Sequence, residues 1–75
     1  SSSAASDVYK RQLIDSLEIF CDLMQHPYLG PKKTLKWMEK NHPIAFAHYK
    51  TALEDFSVDS LENWITYIKN ANATF

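Results

Sequence analysis

Apolar residues return every three or four positions through most of the chain, and each such run is closed by a proline, a glycine or a short polar cluster. In the first run Leu13, Leu17, Phe20, Cys21 and Met24 share one face of a helix. Ile14, Ile19 and Leu23 widen that face on both shoulders, which leaves Asp15, Glu18, Asp22 and Gln25 for solvent. The spacing predicts a helix over 13–25 whose apolar arc is too wide for one neighbour to cover. His26-Pro27-Tyr28-Leu29-Gly30-Pro31 stops it, because proline disfavours helical geometry in the residue before it and glycine permits a turn. Pro31 suits the first position of a second helix, predicted over 31–41, whose apolar strip is narrow: Leu35 and Met38, with Trp37 at its margin.

His42-Pro43 repeats the punctuation of His26-Pro27 and opens a third helix over 43–56. Phe46, Tyr49, Leu53 and Phe56 recur there at i, i+3, i+7 and i+10, a one-face stripe expected to enter the core. Ser57-Val58-Asp59 breaks the pattern, and Asp59 with Glu62 three positions later resembles a capping box with Asp in place of Ser or Thr. A fourth helix over 59–70 presents Leu61, Trp64, Ile65 and Ile68. No stretch alternates with the period of a strand, and no repeat or internal linker divides the chain. The expected fold is all-α, a compact four-helix domain with the first helix at its centre.

Composition agrees with a small helical globule. The 75 residues are 45% apolar and 23% charged with a single glycine, so the chain is neither disordered nor loop-rich. A domain of this size buries only about 60% of the surface it exposes when unfolded, which makes added burial through association valuable. Eight Lys and Arg against nine Asp and Glu leave no overall basic field for non-specific nucleic-acid binding. The lone Cys21 excludes an internal disulfide and points to a reducing, cytoplasmic compartment. The longest uninterrupted apolar run, residues 44–47, is far short of a membrane span, and the Ser-rich start lacks the apolar stretch of a signal peptide. A soluble protein without membrane contact is expected.

The opening residues stand apart. Ser1-Ser2-Ser3-Ala4-Ala5-Ser6 has the composition of a flexible linker. Asp7-Val8-Tyr9-Lys10-Arg11-Gln12 resembles one reading frame of the transposase mosaic end used in sequencing libraries. That resemblance implies that residues 1–12 are an appended linker and adapter-derived sequence, that a single helical domain occupies 13–75, and that this domain is open to being a fragment of a longer microbial or phage chain; the alternative is that the hexapeptide is native and starts the first helix. Residues 13–75 hold six Lys and eight acidic residues, a net charge of −2.

Candidate chemistries are weak. Cys21, His26, His42 and His48 formally supply four zinc ligands or a nucleophile with its base, but none has zinc-finger spacing and Cys21 lies within an apolar face. No metal site, no cofactor and no catalytic residue is expected, and the protein is read as not an enzyme, unless it is a helical subdomain of a larger one. Asp15, Glu18 and Asp22 fall on one solvent face with no cleft implied. Lys32, Lys33, Lys36 and Lys40 with Trp37 form the one basic patch, which would track phosphates while Trp37 stacks on a base. A helix-turn-helix is disfavoured, since the fourth helix shows Asp59, Glu62 and Asn63 outward with Lys69 alone. Asn72-Ala73-Thr74 matches a glycosylation sequon without a secretion signal to give it meaning.

The expected function is therefore that of a small non-catalytic protein–protein interaction module, such as an adaptor, an oligomerising accessory protein or an inhibitor of a host or defence complex. Its interface is expected on Ile14, Ile19 and Leu23 with the acidic stripe Asp15, Glu18 and Asp22, which can meet a basic partner. The partner is another protein or a second copy, in a homodimer with Ile19 and Leu23 on the contact and His26 near its edge. The alternative is a nucleic-acid-binding helical module using Lys33, Lys36, Trp37 and Lys40.

Overall fold

The computed structural model describes the backbone of residues 2–74 and the side chains of residues 7–71, with no strand among them. Its elements are α1 (Ser2–Leu23), α2 (Pro31–Asn41), α3 (Pro43–Asp55) and α4 (Val58–Thr74). The chain is an all-α four-helix domain in which α1 packs against each of the other three helices. No helix among the described residues is long and apolar enough to cross a membrane. The sequon at Asn72-Ala73-Thr74 and the side chains of the Ser-rich opening lie outside the described side chains.

Helix ends follow from local chemistry. α1 closes in a Schellman arrangement: the His26 N–H donates to the Cys21 carbonyl at 2.9 Å and the Gln25 N–H to that of Asp22 at 3.1 Å, with Gln25 at φ 54°. Gly30 stands at φ 100°, ψ 161° just before Pro31, a conformation open essentially to glycine alone. His42 ends α2 and begins α3: its N–H donates to the Met38 carbonyl, and its own carbonyl accepts from Phe46 at 2.9 Å. α3 ends with Phe56 in the left-handed region, φ 52°, ψ 43°.

The cap of α4 lies two residues earlier than the pattern implied. The Ser60 N–H donates to Ser57 Oγ at 3.3 Å, and both serine hydroxyls donate to Asp55 Oδ2, at 3.3 Å from Ser57 and 2.7 Å from Ser60. Asp59 sits inside the first turn, where a negative charge favours the positive end of the helix dipole.

Trp64, fully buried, is the hub of the core. Its ring meets Phe20 and Tyr49 with centroids 5.6 Å away in each case, the second contact edge-on. Its indole N–H donates to Ser16 Oγ at 2.8 Å, and Ser16 in turn donates to the Leu13 carbonyl at 2.7 Å, so the polar atoms at the centre are satisfied. Leu13, Leu17, Met38, Leu61 and Ile68 complete the packing.

Two expectations are corrected here. α3 does not bury its large-residue stripe: Ala45, Tyr49 and Ala52 face the core, Phe46 is half-buried, and Leu53 and Phe56 are exposed. The small residues let α3 approach a layer already filled by Trp64 and Phe20, and the larger ones turn outward. Helix α1 begins at Ser2 rather than Leu13, and Tyr9, from the hexapeptide set aside above, is buried in the core cluster.

Candidate protein-docking surface

Helix α1 buries a seam of Leu13, Leu17, Phe20 and Cys21 and exposes Asp15, Glu18 and Asp22 on its opposite side. Ile14 and Ile19 flank that acidic stripe, 42% and 54% exposed. They lie 500° apart along the helix, or 140° after a full turn, so they belong to two surfaces rather than one arc. Leu23 belongs to neither: it is half-buried and packs against the core.

On the Ile14 side an open groove of about 460 Å³ runs between α1 and α3. Lys10, Leu13 and Ile14 form one bank, Tyr49, Leu53 and Phe56 the other, and Pro31 with Leu35 close the α2 end. The Phe56 ring packs on Tyr9 with centroids 4.2 Å apart and remains 41% exposed. A bulky side chain in the left-handed region costs about 1–2 kcal/mol, so the backbone is strained where it presents this ring. Burial pushes the Tyr49 phenol up to about 12, with the nearby Tyr28 adding to the effect. Tyr28 is itself raised, by burial first and then by Glu18 and Cys21.

On the Ile19 side a second groove of about 320 Å³ lies between α1 and α4, lined by Gln12, Asp15, Ser16, Ile19, Ile65, Ile68 and Lys69. Asp15 makes an exposed ion pair with Arg11 at 3.4 Å. A third hollow, between α3 and α4, is lined by Pro43, Ile44, Ala47, His48, Thr51, Ser60 and Asn63.

The alternative site is rearranged by its own aromatic. Lys33, Lys36 and Lys40 are exposed along the outer side of α2, but Trp37 is half-buried, its ring stacked on His26 at 4.0 Å and 2° and edge-on to His42 at 4.8 Å. One ring face is therefore occupied, and the ring packs inward against Phe20. His26 belongs to this stack. Cys21 is buried, its thiol 4.0 Å from Thr34 Oγ1; burial raises its pKa, the Thr34 contact opposes the shift and Glu18 adds to it. No group of three or more His, Cys, Asp or Glu suited to a metal ion occurs among the described residues.

Sequence reasoning named Ile14 and Ile19 but missed Leu53, Phe56, Ile65 and Lys69 as their companions. The missing signal was the Ala45, Tyr49, Ala52 spacing of i, i+4, i+7, which competes with the larger stripe for the core. No protein-family model, curated protein or solved structure matches this chain.

Proposed function

We propose that the protein is a non-catalytic protein–protein interaction module that works in the cytoplasm of a microbial or phage-infected cell, with α1 as its docking helix. The observation that carries this reading is the convergence of three large exposed apolar side chains, Ile14, Leu53 and Phe56, on one groove. Such a groove suits the apolar face of a partner helix, in the helix-in-groove mode of recognition. Lys10 on its bank, and Lys50 one turn before Leu53, favour a partner helix flanked by acidic residues.

Affinity capture with immobilised protein tests the reading. Ile14→Glu and Leu53→Glu should each abolish capture of a protein partner, while reversal of Lys33, Lys36 and Lys40 to Glu leaves it intact. Capture that survives both groove substitutions overturns the proposal. The nucleic-acid reading, weakened by the stacking of Trp37 on His26, would instead be favoured by oligonucleotide binding that the lysine reversals remove.

A further inference from the structure

We draw no further inference here: the strongest candidate, the open groove between α1 and α4 flanked by Ile19 and Ile65, carries no proposal because nothing in the structure shows what covers it.

Discussion

The Tyr9 hydroxyl lies 2.9 Å from the carbonyl oxygen of Ser57 and 2.8 Å from that of Ala52, so one phenolic proton is shared by two acceptors at the α3–α4 junction. The contact ties α1 to the α3–α4 junction as a second donor to each carbonyl, since that of Ala52 also accepts from the Phe56 N–H and that of Ser57 from the Leu61 N–H, both at 3.1 Å. Tyr9→Phe keeps the ring on Phe56 but leaves the buried Ala52 carbonyl without this donor. Both carbonyls keep their backbone donors, so the change should cost about 0.5–1.5 kcal/mol, read as a lower urea midpoint with unchanged slope.

Buried phenols also set the alkaline limit of the fold. Tyr49 titrates near 12 in the folded protein, chiefly through burial, against about 10 when unfolded. Tyr9 is raised as well, by burial first and then by Asp55, with the Ser57 hydrogen bond opposing. Above pH 10 the unfolded chain holds fewer protons than the folded one, so stability falls as pH rises. The contribution should be fully present below about pH 10 and lost between about 10 and 12. Tyr49→Phe should flatten that decline in a pH series of urea denaturations.

Among the described residues, two occupy left-handed backbone without being glycine, Gln25 at φ 54° and Phe56 at φ 52°. Gln25→Gly should raise stability by about 1 kcal/mol, since its side chain is exposed and its conformation is one glycine adopts freely. At Phe56 the ring contact with Tyr9 is lost in either small variant, but only glycine removes the strain. Phe56→Gly should therefore be more stable than Phe56→Ala by about 1 kcal/mol in thermal unfolding.

Ser16 holds the only hydrogen bond found to the Trp64 indole among the described residues. Ser16→Ala should cost about 1–3 kcal/mol by stranding that N–H inside the core. Introduced into a Trp64→Phe background, the same change should cost much less, and the difference in a double-mutant cycle measures the coupling.

The number and order of the helices were legible because Gly30, Pro31 and Pro43 leave the chain few other places to turn. The orientation of α3 was not, since periodicity treats Phe46, Tyr49, Leu53 and Phe56 as a better core stripe than Ala45, Tyr49 and Ala52. Packing decides otherwise: with Trp64, Phe20 and Tyr49 already supplying volume, alanines fit and further large side chains do not. The same limit hid the docking surface. Ile14 and Ile19 were visible as surplus apolar residues on α1, but the helices that border them depend on long-range packing. Tyr9 was missed because its hexapeptide was read for its origin and not for its helical register, in which Tyr9 precedes Leu13 by four and Leu17 by eight.

At His42 a single residue separates two helices, ending one and starting the next. One residue inserted there would turn α3 by about 100° about its axis and carry Tyr49 and Ala52 away from Trp64. The seven residues between α1 and α2 hold Met24 and Tyr28 against the core and His26 on Trp37, but they do not set the rotation of one helix directly by that of the other. The chain thus combines one joint of fixed length with one that can lengthen. Natural variation in size should accumulate between Leu23 and Gly30, leaving the angle between α2 and α3, and with it the shape of the groove beside Leu35 and Leu53, unaltered.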